Sequence, residues 1–199
     1  MSSNGHRVGV LALQGDFEAH ARALALRGVS AVEVRTAGDL DGMRGLVLPG
    51  GESTTMLKLM EGSDLGDRLT EFVRGGLPVL ATCAGVILLA REVRHPAQRS
   101  LGVLDAVVER NAYGRQIDSA VVDLEVCDPD ELGAERLEGV FIRAPRVREL
   151  GSEVRVLARR GDDPVLLRQG CLLAATFHPE LSGGSPVIDL FVRSVRSGL

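Results

Sequence analysis

The sequence lacks several features that would point to particular classes of protein. No apolar run approaches the roughly 20 residues that a membrane-spanning helix needs, and the opening MSSNGHRVGVLAL has no secretion-signal pattern. Lysine is nearly absent, since Lys58 is the only one. With a net charge of −4 and no basic cluster, the chain has no surface suited to nucleic acid. These absences predict a cytoplasmic protein that binds neither a membrane nor a nucleic acid.

Cysteine usage excludes two further classes. Cys83, Cys127 and Cys171 are odd in number and widely spaced, so they form neither a disulfide framework nor a CxxC metal pattern. The remaining composition, 45% apolar and 25% charged residues, is that of a soluble globular protein. The length of 199 residues predicts one domain over residues 1–199, in which residues 1–6 are disordered.

Strand-like and helix-like segments alternate through the first half of the chain. Short apolar runs such as LPVLAT (77–82) are typical of buried parallel strands, and helical spacing follows them. One predicted helix, over residues 84–93, opens directly after Cys83. The second half is rich in strands and ends in a predicted helix over residues 185–195. The pattern predicts a three-layer α/β/α domain, whose largely parallel sheet gains antiparallel strands in the C-terminal half.

Cys83 lies between a predicted strand and a predicted helix, in the stretch VLATCAGVILLA. A nucleophile elbow has this layout, in which a sharp turn between small residues lifts one side chain above the sheet edge. The helix dipole would then stabilise a thiolate, and the N–H of Ala84 would point to where an oxyanion forms. A cysteine packed into the core explains the same stretch, so both interpretations stand. Cys127 and Cys171 lack such a turn and are predicted to be core filler.

The segment TFHPELSGG places His178 and Glu180 directly after an apolar strand. In an extended chain both side chains project to the same side. A carboxylate that orients an imidazole towards a thiol is an arrangement of nucleophilic catalysis, and this pair can meet Cys83 at one sheet edge. A loop histidine beside a solvated glutamate is the alternative. The remaining histidines are predicted to lie on the surface: His6, His20 and His95.

A glycine turn follows another predicted strand, in LVLPGGESTTM. The backbone amides of Gly50 and Gly51 can approach a ligand closely, and Glu52 and Ser53 follow at a predicted helix start. An ordinary glycine turn with Ser/Thr caps explains the same residues. No Gly-Lys-Ser/Thr follows, so the segment is not a P-loop, and ALQGD does not match the Gly-x-Gly-x-x-Gly dinucleotide fingerprint.

Six motifs occur in one order along almost the whole chain: LALQGD, LPGGESTTM, TCAG, VVERNAYGRQIDS, GVFIRAP and FHPEL. Together they resemble the glutaminase subunits of pyridoxal 5′-phosphate synthase, the PdxT/SNO family of class I (triad) glutamine amidotransferases. Many triad amidotransferases share the small-residue elbow and HPE, whereas PGGESTT, ERNxxGRQ and FIRAP are specific to this subunit. The resemblance implies a flavodoxin-like class I glutamine amidotransferase fold.

The resemblance also assigns the catalytic roles. Cys83 matches the nucleophile, His178 its general base and later acid, and Glu180 the carboxylate that orients the imidazole. The backbone amides of Ala84 and Gly51 match an oxyanion hole.

Further positions match contacts with the substrate glutamine: Gly51, Glu52, Ser53, Arg110, Ile142 and Arg143. An arginine and a glutamate suit the α-carboxylate and ammonium of a free amino acid. Gln14 is expected close to the site, behind the residues that touch substrate. Many triad amidotransferases have glycine two residues before the nucleophile, and Ala81 stands there in this chain. This departure slightly weakens the argument for a strained turn.

The implied activity is hydrolysis of L-glutamine to L-glutamate and ammonia through a cysteine thioester. The ammonia would pass to a separate (β/α)₈-barrel synthase subunit, in a hetero-oligomeric complex that makes pyridoxal 5′-phosphate (vitamin B6). The resemblance implies no metal and no organic cofactor in this chain.

Two other classes of function remain open from the sequence. A different cysteine hydrolase of the same architecture, peptidase-like or deglycase-like, would not need Glu52, Arg110 and Arg143 around a free amino acid. A non-catalytic regulatory or scaffolding protein would not need an intact Cys83 and His178. Activity on peptides but not on glutamine would select the first class, and inertness beside the synthase partner would select the second.

Overall fold

A computed structural model describes residues 7–110 and 120–198. The disorder predicted for residues 1–6 and the part of the VVERNAYGRQIDS motif over residues 111–119 lie outside the described residues. The strands are β1 Arg7–Leu11, β2 Ser30–Val34, β3 Gly45–Leu48, β4 Val79–Thr82, β5 Ala90–Arg94, β6 Leu104–Glu109, β7 Ala120–Val126, β8 Leu137–Phe141, β9 Arg146–Leu150, β10 Arg155–Arg160, β11 Asp163–Gln169 and β12 Leu172–Ala175. The α-helices are α1 Phe17–Ala25, α2 Ser53–Met60, α3 Leu65–Arg74, α4 Ala84–Leu89, α5 Pro129–Leu132 and α6 Pro186–Ser197.

A nine-stranded sheet forms the centre of the molecule, in the order β2-β1-β3-β4-β12-β11-β10-β7-β8. The first five strands of this order are parallel, and the pairings from β12 to β8 are antiparallel. The sheet therefore has the predicted composition: a parallel half from the N-terminal strands, joined by β12, and an antiparallel half from the C-terminal ones.

Hydrophobic cores fill both faces of this sheet. Residues of α1, α5 and α6 pack with one set of alternate strand residues, such as Val47 and Leu80. Residues of α2, α3 and α4 pack with the other set, such as Leu46 and Ala81. The alternation follows from the two-residue period of a strand. The three-layer α/β/α prediction is confirmed.

Two cysteines lie outside these cores. Cys127, directly after β7, is exposed, and Cys171, directly before β12, is half-buried. The prediction that both are core filler was wrong, because each lies just beyond the end of its strand, where the buried alternation of the strand stops.

A second sheet has three strands in the order β5-β6-β9. It differs from the prediction at two places, the end of α4 and the strand β9. The helix predicted over residues 84–93 ends at Leu89, and the chain continues as β5 from Ala90. Leu104 pairs with Ala90 in this sheet, so β-pairing overrides the helical spacing of the sequence. The strand β9 was not predicted.

Three neighbouring parallel strands, β3, β4 and β12, end side by side at the same edge of the large sheet. The loops that follow them carry the glycine turn, Cys83 and His178. In the part of the chain that the structure describes, no helix has the length and apolar character to span a membrane.

Candidate active site

A cavity of about 250 Å³ opens at this edge of the sheet. This volume suits a ligand of amino-acid size, since pockets for drug-sized molecules are larger. Nine of the sequence-predicted site residues line the cavity: Gln14, Gly51, Glu52, Ser53, Cys83, Arg110, Ile142, Arg143 and His178. Glu180 lies behind His178, and Ala84 follows Cys83 as the first residue of α4.

The turn at Cys83 has the backbone of a nucleophile elbow. Its φ of +46° and ψ of −102° are strained for a residue with a side chain. The turn is held because the Cys83 N–H donates to the Ala175 carbonyl on β12 over 2.9 Å. A Cβ on Gly85 would collide with the Leu48 carbonyl oxygen, so the residue at this position must be glycine. Ala81 therefore does not prevent the strained turn.

The helix α4 is short, which reduces the electrostatic effect of its N-terminus on Cys83. With six residues rather than the ten predicted, α4 has a smaller dipole than the sequence suggested. Its first N–H, on Ala84, has no partner within the helix. The thiol of Cys83, in a residue only 6% exposed, lies 3.8 Å from the Ile142 carbonyl.

His178 and Glu180 form a buried hydrogen-bonded pair. The ring nitrogen Nδ1 of His178 lies 2.7 Å from Oε1 of Glu180, and the glutamate side chain is fully buried. The chain between them is a 3₁₀ turn over Pro179–Leu181 rather than the predicted extended segment. A Cβ on Gly50 would collide with Cε1 of the imidazole, whose Nδ1 and Nε2 would lie 3.1 and 3.3 Å away. The glycine turn thus packs directly on the His178 ring.

The surroundings shift the pKa values of both partners. Burial alone would lower the pKa of His178, but hydrogen bonds with Cys83 and Glu180 outweigh burial and raise it to about 10. Burial would likewise raise the pKa of Glu180, but contacts with His178 and His20 lower it to about 2. At neutral pH the pair is therefore an imidazolium beside a carboxylate.

His20 was predicted to lie on the surface, and this was wrong. The residue is 1% exposed, with Nε2 3.1 Å from Thr82 Oγ1 and 3.3 Å from Glu180 Oε2. The sequence carries a signal for its burial, because His20 shares the apolar face of α1 with Ala23 and Leu24. That spacing predicts burial but not the polar partners, which come from distant segments.

A second group of polar side chains surrounds the cavity residue Arg110. Arg110 Nη2 donates to Glu52 Oε1 over 3.0 Å, and Nη1 donates to Gln98 Oε1 and to Thr54 Oγ1. Gln98 Oε1 also accepts from Ser53 Oγ over 3.2 Å. Gln98, which the sequence analysis missed, therefore ties Arg110 to the start of α2. No sequence signal marks it, since it lies in an irregular loop.

Gln14 and Arg143 also line the cavity. Gln14 Oε1 accepts a hydrogen bond from the Glu52 N–H and so holds the glycine turn against the loop that follows β1. Arg143 has a φ of +46°, and no hydrogen bond or ion pair within residues 7–110 and 120–198 holds its guanidinium. Over the same residues, no group of three or more His, Cys, Asp and Glu side chains is placed to bind a metal ion.

Comparison with known proteins places the chain among amidotransferases. The profile of the SNO glutamine amidotransferase family matches residues 10–197. Among curated proteins, the chain is 52% identical to the pyridoxal 5′-phosphate synthase subunit PdxT of Koribacter versatilis, over 96% of this chain and 97% of that one. It is 45% identical to the subunit of the same name from Thermotoga maritima, over 96% of this chain and 100% of that one.

Solved structures give the same fold. A crystal structure of a glutamine amidotransferase superposes with a TM-score of 0.87 at 49% identity, covering 95% of this chain and 98% of its own. A GMP synthase component from Thermoplasma acidophilum superposes with a TM-score of 0.71 at 16% identity, covering 98% and 94%, which shows a shared fold. The predicted class I glutamine amidotransferase fold is confirmed.

Proposed function

This chain belongs to the SNO glutamine amidotransferase family, and on that premise we propose that it hydrolyses L-glutamine to L-glutamate and ammonia with Cys83, His178 and Glu180 as its catalytic triad. The resemblance found in the sequence motifs is thereby confirmed at the level of the family. The observation that carries the proposal is the hydrogen bond between His178 Nδ1 and the buried Glu180, at the wall of a cavity of about 250 Å³ that Cys83 and His178 both line.

In the first half of the reaction, the Cys83 thiolate attacks the side-chain carboxamide carbon of glutamine. The C=O electron pair moves to oxygen, and the backbone N–H groups of Ala84 and Gly51 stabilise this oxyanion. His178 donates its proton to the amide nitrogen as the C–N bond breaks, so that ammonia leaves and a thioester remains on Cys83. The raised pKa of His178 keeps this proton available at neutral pH.

In the second half, His178 acts as a base. It takes a proton from water while the water oxygen attacks the thioester carbon, and the C–S bond then breaks to give glutamate and the Cys83 thiolate. Glu180 keeps the imidazole in one orientation and stabilises its positive charge in both halves. Burial of the Glu180 side chain preserves this charge from screening by solvent.

The charged side chains that line the cavity suit the α-amino and α-carboxylate groups of glutamine. Glu52 offers an acceptor for the ammonium group, and the guanidinium of Arg143, unpaired among the described residues, offers donors for the carboxylate. Arg110 bridges Glu52 and Gln98 and so fixes the position of the Glu52 side chain. Ser53 and Ile142 also line the cavity. Gln14 supports the site from behind through the Glu52 N–H.

The ammonia is used by a separate (β/α)₈-barrel synthase subunit, in a hetero-oligomeric complex that makes pyridoxal 5′-phosphate. The support for this partner is the name of the curated relatives, which are subunits of pyridoxal 5′-phosphate synthase and align over nearly the whole chain. The chain itself needs no metal and no organic cofactor for the amide hydrolysis, since thiol, imidazole and carboxylate supply every step.

The test is ammonia release from glutamine, measured with and without the synthase subunit. We expect the wild type to be active and stimulated by the synthase, and Cys83→Ala to lose at least about a thousandfold in kcat. Cys171→Ala is the matched control, because this cysteine lies outside the cavity lining. Undiminished ammonia release by Cys83→Ala would exclude the triad, and peptide hydrolysis without glutamine hydrolysis would select the other hydrolase class.

A further inference from the structure

His20 is a buried polar side chain that the proposed reaction does not use. It projects from α1 and is 1% exposed, yet its Nε2 meets two polar groups from distant parts of the chain. One is the Oγ1 of Thr82, the residue directly before Cys83, at 3.1 Å. The other is Oε2 of Glu180, at 3.3 Å. His20 therefore lies between the strand that carries the nucleophile and the carboxylate of the triad.

The second carboxylate oxygen of Glu180, Oε2, needs a hydrogen-bond donor, and His20 is placed to supply it. Oε1 is engaged by His178, whereas Oε2 is buried and receives no well-aligned hydrogen bond from the residues that the structure describes. A buried carboxylate oxygen without a donor is costly. Among the described residues, His20 Nε2 lies within salt-bridge distance of Oε2, whereas the contact of His178 is with Oε1.

The same geometry fixes where the proton of the His20 ring must be. An ionised carboxylate can only accept a hydrogen bond, so an unprotonated Nε2 would turn its lone pair towards a negative oxygen at 3.3 Å. A proton on Nε2 instead attracts Glu180 and leaves Thr82 Oγ1 as a second acceptor. The contacts therefore require hydrogen on Nε2.

We propose that His20 is a positioning residue of the triad, whose Nε2–H is shared by Thr82 Oγ1 and Glu180 Oε2 and holds the carboxylate so that Oε1 faces His178. The inference rests on the proposed glutaminase function and deepens it. The described lining of the cavity includes the loop after β3 but no residue of α1. His20 thus acts only through Glu180 and Thr82, without touching substrate.

Packing alone does not explain a histidine at this position. The face of α1 around it is apolar, formed by Ala19, Ala23 and Leu24. An aliphatic residue of similar size would fill this space without the cost of desolvating a polar ring. The Thr82 side chain is likewise completely buried, and its contact with His20 Nε2 gives each of the two polar groups a partner.

The test compares two substitutions of equal length. His20→Gln keeps an N–H near the position of Nε2, whereas His20→Met fills the space without a donor. For glutamine hydrolysis with the synthase subunit present, we expect kcat of the Met variant to fall about 10- to 100-fold and that of the Gln variant to stay within about threefold. The KM for glutamine should change less than about twofold in both, because Glu52 and Arg110 are untouched.

Thermal unfolding shows whether each variant is folded. If His20→Met does not fold, His20→Asn takes its place, since its N–H lies near the Nδ1 position and cannot reach Glu180. A donor-free variant with wild-type kcat would overturn the proposal. The proposal would also be overturned if His20→Gln had as low a kcat as His20→Met, or if the substitutions raised the KM for glutamine instead of lowering kcat.

A measurement without turnover separates this inference from the proposed function. Nitrogen-15 NMR of the histidine-labelled chain, with His20 assigned by its loss in His20→Gln, reports which ring nitrogen carries hydrogen. We expect a protonated Nε2, and an unprotonated Nε2 would refute the bridge whether or not glutamine is hydrolysed. A wild type without glutaminase activity would refute the proposed function while the NMR result on the bridge still holds.

Discussion

Replacing Gly50 with alanine should disable the proposed triad without substituting any of its three residues. A Cβ at Gly50 would lie closer to His178 Cε1 than the 3.0 Å below which real Cβ atoms essentially never occur. The imidazole must then retreat by roughly 1 Å to reach an ordinary van der Waals distance. The hydrogen bond between His178 Nδ1 and Glu180 Oε1 is only 2.7 Å long. Such a movement therefore breaks the alignment of the imidazole with either the Glu180 carboxylate or the Cys83 thiol. A displacement of this size costs about 100-fold in rate.

The assay is ammonia release from glutamine, with saturating synthase and with thermal unfolding in parallel. Gly183→Ala is the matched control, because a Cβ there meets no atom within 4 Å. We expect the control to keep its activity and Gly50→Ala to lose about 100-fold in kcat, with both variants folded. A folded Gly50→Ala enzyme as active as the control would show that the contact between the glycine turn and His178 has no role.

Two other predictions concern the charges of the site. Glu180→Gln should lower kcat by about 10²- to 10⁴-fold and flatten the pH dependence of the free energy of unfolding. The pKa of Glu180 is lowered from 4.5 to about 2, so its stabilisation is complete above pH 4.5 and lost as pH falls towards 2. The pKa of His178 is raised from 6.5 to about 10, so its stabilisation is complete below pH 6.5 and lost as pH rises towards 10. Denaturant unfolding across both windows checks this, and equal slopes for wild type and variant would contradict it. Gln98→Leu should raise the KM for glutamine about tenfold with kcat little changed, because Arg110 loses an acceptor that orients it; steady-state kinetics with an unchanged KM would contradict this.

The sequence predicted the position of the site better than its internal contacts. Strand periodicity and the rule that parallel strands end at one edge were enough to bring the loops of Gly50, Cys83 and His178 together. The motifs then identified nine residues that line the cavity. These features are local, because each depends on a few consecutive residues.

What the sequence did not predict depends on contacts between distant segments. His20 resembles a lone histidine on a helix until Thr82 and Glu180, 62 and 160 positions away in sequence, fold against it. Gln98 acquires its role only when its loop reaches Arg110 and α2. The end of α4 at Leu89 is likewise set by pairing of β5 with β6, which overrides local helix propensity.

The pairing of β12 with β4 has a consequence for how the protein is made. These two strands lie side by side, although Leu172 and its partner Val79 are separated by roughly ninety residues of chain. A chain emerging from the ribosome contains Cys83 long before β12 is made, and β12 both holds the cysteine turn through the Ala175 carbonyl and leads to His178. Because long-range parallel pairing forms slowly, thiol and base meet only in a nearly finished fold. On the proposed mechanism, ammonia release therefore requires a nearly complete fold.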